Sequence, residues 1–291
     1  MTITRKYAVI AGFITPFIAF MVLFQYAPIV IMFRDSLYKY NLMNPAAKEY
    51  VGLSNFQSGA SNQQLQKAII VTLLFAVGLV ALEIPLGLAL ALFVNQSFPG
   101  VRILRTAAFT PVVTSVVVVA TLWTFMLDPS HGLINTLLQT LNIGPQPFLT
   151  SSYQALPAII VMTAWEQIGL SMILFLSGLQ SIPRDLLEAA AIDGAGRWRR
   201  LRFVTIPLLK RTTLFIVVIM TVFAFQAFAP AFVMTHGGPQ NSTLLLVYYI
   251  YLNAFTLLRA GYASAIAVIL MAIIFVVGVV QMALLRTKWI Y

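Results

Sequence analysis

Apolar residues do not recur here at the two- or four-residue intervals of a half-buried element. They run on. Six stretches carry more than twenty mostly apolar residues in succession: Ala8–Phe33, Ala68–Val94, Thr106–Leu127, Tyr153–Leu179, Thr212–Met234 and Ala260–Leu285. Runs of that length match the hydrocarbon thickness of a bilayer. Backbone amides in lipid find partners only within a helix or a closed barrel. A barrel strand alternates in polarity, and "VVTSVVVVATLW" and "AIAVILMAIIFVVGVV" do not. The pattern predicts an all-α, polytopic membrane protein of six transmembrane helices, a single domain over 1–291. The first run, basic at Arg5 and Lys6, is too long for a signal peptide and lacks a small-x-small cleavage site before Phe33. It is expected to be retained.

Composition sharpens this. The chain is 60% hydrophobic and 9% charged, with a mean hydropathy of +0.91. A soluble core cannot hide that much apolar side chain. The net charge of +10 then follows from topology. With the N-terminus inside, Arg5, Lys6, Arg102, Arg105, the loop between the fourth and fifth runs, Arg286 and Lys288 put thirteen of eighteen Lys and Arg on the cytoplasmic side. Arg34, Lys39, Lys48, Lys67 and Arg259 lie outside. This bias orients multi-pass proteins, so both termini are expected to be cytoplasmic. No nucleic-acid partner is needed to explain the charge.

One polar segment, about 180–211, breaks the pattern. It holds Arg184, Arg197, Arg199, Arg200, Arg202, Lys210 and Arg211. Pro183 suits a first helical turn, and Asp185 and Glu188 sit near a helix N-terminus. Gly194 supplies a turn. A second short helix sets Trp198, Leu201 and Val204 at three-residue spacing, with the arginines on its other faces and Pro207 at its end. One reading lays this helix on anionic headgroups. The paired acids and the glycine break favour a docking element for a cytoplasmic partner.

Glu188-Ala189-Ala190, then Gly194 after three residues, then Val204-x-Ile206-Pro207 after nine more, resembles the EAA loop of binding-protein-dependent ABC importer permeases. That family has Ile at the position of Val204 and Leu at that of Ile206. "MTHGGPQNSTLLLVYYIYLNAF", "GYASAIAVIL", "VGLSNF", "LDPSHGLIN" and "LQSIPRDLLEAA" are similar to the maltose-type carbohydrate permeases, which import sugars and sugar-like polyols or glycerol phosphate compounds. The resemblance covers nearly the whole chain. It implies a permease subunit in a bacterial or archaeal cell (inner) membrane, surrounded by membrane lipid. Its implied partners are a second related permease, two copies of a cytoplasmic ATPase and an extracytoplasmic substrate-binding protein. No Gly-x-x-x-x-Gly-Lys-Ser/Thr loop occurs, so ATP and Mg are expected on the ATPase and no cofactor in this chain.

By the same resemblance, Glu188, Ala189, Ala190, Asp193, Gly194, Trp198, Leu201 and Pro207 form the ATPase-coupling element, with Glu188 as the ionic contact and Gly194 as the turn. The substrate path, counted back from Glu188, is Thr163, Glu166, Gln167 and Leu170. Counted forward past Pro207 it is Met220, Phe223, Ala224 and Ala227. The maltose system carries more amides on that fifth-span face, where Ala224 and Ala227 stand here. The loops 34–67, 128–152 and 235–258 are expected outside, where family permeases meet their binding protein. "GLINTLLQTL" predicts a short helix there.

Catalytic and metal-ligating constellations do not emerge. There is no cysteine, and the two histidines, His131 and His236, fall in different loops. Glu83 and Glu166 are the acids within apolar runs. Intramembrane acids can carry protons, which keeps an ion-coupled secondary transporter as the alternative. An intramembrane enzyme would need more polar groups than these. Glu83 is expected to hydrogen-bond a neighbouring span, and Pro85 to kink its helix.

The topology is open to direct labelling. In this cysteine-free background, a single thiol at Ser242 should react with an impermeant reagent from outside, and one at Ala195 should not. Inverse labelling would reverse the orientation.

Overall fold

The structure, a computed structural model, describes residues 3–284, with side chains from Gly12 onward apart from Pro45. Arg286, Lys288 and Leu285, the end of the sixth apolar run, lie outside the described residues, as do the side chains of Ala8, Arg5 and Lys6. Four helices are long and apolar enough to cross a membrane: Gly12–Asp35, Gln63–Val94, Ala155–Gln180 and Ala260–Leu284. Two further pairs pass the same test but are bent, Val101–Val113 with Val116–Met126 by 99° and Arg197–Leu208 with Lys210–Phe225 by 64°. Counting each pair once gives up to six crossings.

Proline placement explains which helices bend. Pro85 lies inside Gln63–Val94, and the helix continues through it. Pro207 stands in the last turn of its helix, which ends one residue on, at Leu208. A widened π turn, Leu201–Thr205, immediately precedes Ile206-Pro207, and the Ile206 N–H reaches back to Leu201 O. A proline lacks the N–H that an α turn requires, and its ring crowds the carbonyl four residues back. The wider turn accommodates both defects. The same device, Val22–Tyr26, precedes Pro28 in the first long helix. Where the chain does break, it does so at Thr114-Ser115, which is extended after the Pro111 turn, at Leu209, and at 226–228 before Pro230.

The described residues pack into two compact units, one running to Gln63 and including Tyr249–Ala272, the other covering Gln64–Tyr248 and continuing from Ile273. In the first, the loop after the first long helix folds into an antiparallel hairpin, β1 (Tyr38–Asn41) and β2 (Asn44–Tyr50), which the apolar pattern did not predict. Buried Asp35 anchors it. Asp35 accepts from Tyr40 Oη at 2.7 Å, from Arg34 Nη2 at 2.8 Å and from Lys48 Nζ at 3.2 Å. Burial and the bond to Asp35 push the Tyr40 phenol up to about 12. Asn55 Nδ2 donates to Ser36 O and Tyr38 O, closing the helix Ser54–Ala60 onto the hairpin.

In the second unit, Ala155–Gln180 is the hub. Of its most apolar window 56% is buried, against none of the corresponding window in Gly12–Asp35. Met172, Phe175 and Leu179 of the hub pack in one cluster with Ala91, Val94, Ile182, Leu209, Ile216 and Met220. Lipid tails are as apolar as these side chains, so contact rather than dehydration holds such helices together, and small residues let backbones approach. At Gly169 an added Cβ would meet the Ala108 carbonyl and come within 2.8 Å of Phe109 Cα. Polar ties cross the unit as well: Ser171 Oγ donates to Glu83 Oε2 at 2.9 Å, Gln281 Nε2 to Thr221 Oγ1 at 2.7 Å, and the Leu246 N–H to Thr72 Oγ1 at 2.8 Å. Glu83 thus makes the inter-helix bond its position suggested.

The close approach at Gly169 has a measurable consequence. Gly169→Val should destabilise this unit by about 1–3 kcal/mol through overpacking against backbone. Thermal unfolding of the purified protein in detergent should shift down, whereas Gly12→Val, in open space, should leave it unchanged.

Candidate functional site

The segment 180–211 is ordered as two short helices about a glycine turn. Pro183 caps the first, Arg184–Ile192, from the residue before it, with Asp185 in the first turn. Its end is a Schellman closure. The Ala195 N–H donates to Ala190 O at 2.9 Å and the Gly194 N–H to Ala191 O at 3.1 Å. Gly194 stands at φ +80°, where a Cβ is disfavoured. Glu188, Ala189 and Asp193 are exposed. In the second helix Trp198 is 72% exposed, while Leu201 and Val204 are half-buried and Thr205 is buried. Three-residue spacing drifts by about 60° per step around a helix, so the three apolar positions do not share one side. Leu201 turns inward, and with Leu187 lines a groove against the end of Gln63–Val94.

A second constellation lies at the breaks. A cavity of about 500 Å³ is lined by Thr163, Glu166, Gln167 and Leu170 of the hub helix, by Val112 and Val116 beside the first break, and by Phe223 and the chain from Gln226 to Pro230 at the last. Six of the eight path positions expected from the sequence therefore border one space. Met220 and Ala224 do not. Both are buried, and Met220 packs among Met172, Phe175 and Ile216. The helix Lys210–Phe225 lies against the hub at that depth, and its face opens into the cavity only near its end. Gln226, not among the expected path positions, lines the cavity because the helix stops at Phe225. Its polar side chain before Pro230 was the available signal.

The cavity is amphipathic. Glu166 Oε2 and Gln167 Oε1 are buried yet accept no hydrogen bond from the protein. Thr163 Oγ1 instead donates to Ile159 O at 2.9 Å within its helix. Phe223 and Phe228 supply aromatic walls. A few polar groups on apolar walls is the make-up of a small-molecule site, and unpaired acceptors suit a donor-rich solute such as a polyol. No group of three or more His, Asp or Glu comes together among the described residues.

The loops expected outside are also structured. Leu133–Thr140 forms the expected short helix. Buried Asn135 ties it down, donating to Gln146 O at 3.0 Å and accepting the Gln146 N–H at 2.8 Å. The His131 and Ser130 amides hold the Asp128 carboxyl below its usual range. His236 is exposed at φ +50°.

Comparison with known proteins agrees with this architecture. The family model for the binding-protein-dependent transport system inner membrane component matches residues 83–289. The sn-glycerol-3-phosphate transport system permease protein UgpA of Agrobacterium fabrum is 34% identical over 265 residues, covering 90% of this chain and 89% of that one. The arabinooligosaccharides transport system permease protein AraP of Bacillus subtilis is 30% identical over 276 residues, covering 94% and 87%. A solved bacterial ABC transporter involved in the import of the acidic polysaccharide alginate shares the fold, with a TM-score of 0.84 at 24% identity over 98% of both chains. These matches favour an ABC importer permease over an ion-coupled transporter. The hub helix, the loop that follows it and the broken spans all lie within the matched residues, and the chain belongs to the family of binding-protein-dependent transport system inner membrane components.

Proposed function

We propose that this permease lines the translocation path of an ATP-driven importer for a sugar or sugar-like solute. It forms that path with a second, related permease. Its EAA loop docks on one of two cytoplasmic ATPases, which hold the ATP and Mg, and an extracytoplasmic binding protein delivers the solute to the outer loops. Both termini face the cytoplasm.

One observation carries the reading. Glu166 and Gln167, with unpaired buried acceptors, border the same cavity as both chain breaks. The helix that bears them runs to Gln180, and the EAA helix begins at Arg184. The proposed solute contact and the proposed docking element thus lie on consecutive helices, separated only by residues 181–183. The relatives' named solutes, a glycerol phosphate and arabinose oligomers, are rich in hydroxyls. Hydroxyl donors complement Glu and Gln oxygens, and a sugar ring has apolar faces for Phe223 and Phe228. ATP binding closes the ATPases, the loops transmit a rigid-body rotation, and the cavity opens outward; hydrolysis resets it.

Three substitutions test this. Gly194→Val puts a branched side chain at φ +80° in open space, so its cost is conformational, about 1–2 kcal/mol. Glu188→Lys reverses an exposed charge. Both should leave the chain inserted in the membrane while lowering ATPase retention and uptake; normal assembly and uptake in both would remove the docking role. Glu166→Gln keeps the side-chain volume and changes the acceptor set. It should impair uptake with the assembled complex and its ATPase activity intact. Unchanged transport would remove Glu166 from the path, and loss of assembly would assign it to packing.

A further inference from the structure

We propose that a basic pocket beside the coupling loop binds the phosphate of an anionic phospholipid from the cytoplasmic leaflet. The pocket, about 580 Å³, is lined by Leu92, Asn95, Gln96, Leu187, Arg197, Arg200, Leu201 and Thr205. Its polar lining is two guanidinium groups, two amides and one hydroxyl, with no carboxylate. Arg200 Nε is buried and donates to nothing in the protein. A buried guanidinium N–H without an acceptor is costly, and a phosphate oxygen is the acceptor that its fork geometry matches. Arg105 adds charge nearby, its Nη2 donating at 2.5 Å to the carbonyl of Val94, the residue before Asn95.

Depth and surroundings select the lipid over a free anion. Asn95 and Gln96 directly follow the last residue of the long apolar helix Gln63–Val94. The pocket therefore sits at the level where hydrocarbon gives way to headgroups. Leu92, Leu187 and Leu201 give it apolar walls. Beside it Trp198 and Phe203 are 72% and 70% exposed, flanking the exposed Arg199 and Arg202. Exposed aromatic and basic residues at the end of a span are the signature of an interfacial anchor. On this proposal the turn at Gly194 divides the loop by chemistry: the arm bearing the exposed Glu188 meets the proposed ATPase, and the arginine arm, with Trp198 and Leu201 of the expected coupling element, meets lipid. The leaflet rests on the orientation proposed above. The pocket chemistry does not depend on which solute is carried.

The test uses the full-length chain with whatever subunits purify with it. Native mass spectrometry is recorded after equilibration with phosphatidylglycerol, with phosphatidylcholine of the same acyl chains, or with inorganic phosphate. Phosphatidylglycerol should be retained over phosphatidylcholine. Retention should weaken about tenfold, the loss of one charge-assisted bond, in Arg200→Gln and in Arg197→Gln, but persist in Arg199→Gln. Equal retention of the two lipids, or equal loss in Arg199→Gln, would overturn the site. Binding of inorganic phosphate without phosphatidylglycerol retention would overturn the lipid assignment. If the pocket variants do not fold, a photoreactive phosphatidylglycerol applied to the unaltered chain decides. Labelling at Leu92–Gln96 or Arg197–Thr205 supports the proposal, and labelling elsewhere alone refutes it. A missing ATPase in these preparations would count against the importer reading and leave the lipid result intact.

Discussion

Hydrocarbon offers a backbone amide no partner, and most of this molecule follows from that. Each apolar run must be helical, and each interruption of a helix at membrane depth must be covered by protein or open onto water. Two interruptions occur within the predicted apolar runs, at Thr114-Ser115 and at 226–228. Residues beside both line one cavity against the hub helix. The cavity is thus the place where the lipid constraint is relaxed. The unpaired oxygens of Glu166 and Gln167 there need a wet or solute-filled space rather than a greasy one.

The same constraint explains why proline has no single meaning here. Pro207 and Pro28 are each preceded by a π turn that widens the helix; past Pro28 the helix runs on to Asp35, past Pro207 only to Leu208. Pro85 is carried within an α-helix. Pro111 and Pro230 sit at true breaks. A missing N–H costs a helix interior one bond, as at Pro85, but nothing at Pro230, which stands in the first turn of its helix. What differs is whether the neighbouring turn can widen or the chain has a reason to leave the helical path.

The long spans were legible because hydropathy summed over twenty residues is insensitive to local detail. The breaks were illegible for the same reason, since Val112–Val113 and Phe228–Met234 are apolar on both sides of the bend. The hairpin at Tyr38–Tyr50 was missed because its strands are short and polar, and because the charges of Arg34 and Lys48 that close on Asp35 read as loop residues. The helix–turn–helix form of the segment 180–211 was legible, down to the turn at Gly194, because glycine and proline act locally, whereas the common face of Trp198, Leu201 and Val204 was not borne out. Path positions on the fifth span were harder. Helical spacing grouped Met220, Phe223, Ala224 and Ala227, but it does not separate core from cavity, and Ala227 lies past the helix end at Phe225. Met220 and Ala224 are core, and Phe223 and Ala227 border the cavity.

Depth also bears on how a displaced loop would be felt at the cavity. The two ends of the coupling segment are Ile182 and Leu209, and both are buried in one apolar cluster with Leu179, Ile216 and Met220. A load on the exposed arm at Glu188 is therefore not absorbed by slack on either side. It reaches the hub helix and Lys210–Phe225 together through close-packed side chains, which resist compression. Those two helices also border the cavity, at Glu166 and at Phe223. The chain leaves the helical path instead at 226–228, beyond the cluster. Motion concentrated at that joint would reshape the cavity wall at Gln226–Pro230 while leaving Glu166 and Gln167 fixed on their helix. In that arrangement the acceptors proposed to hold a solute would stay in place while the facing wall moves.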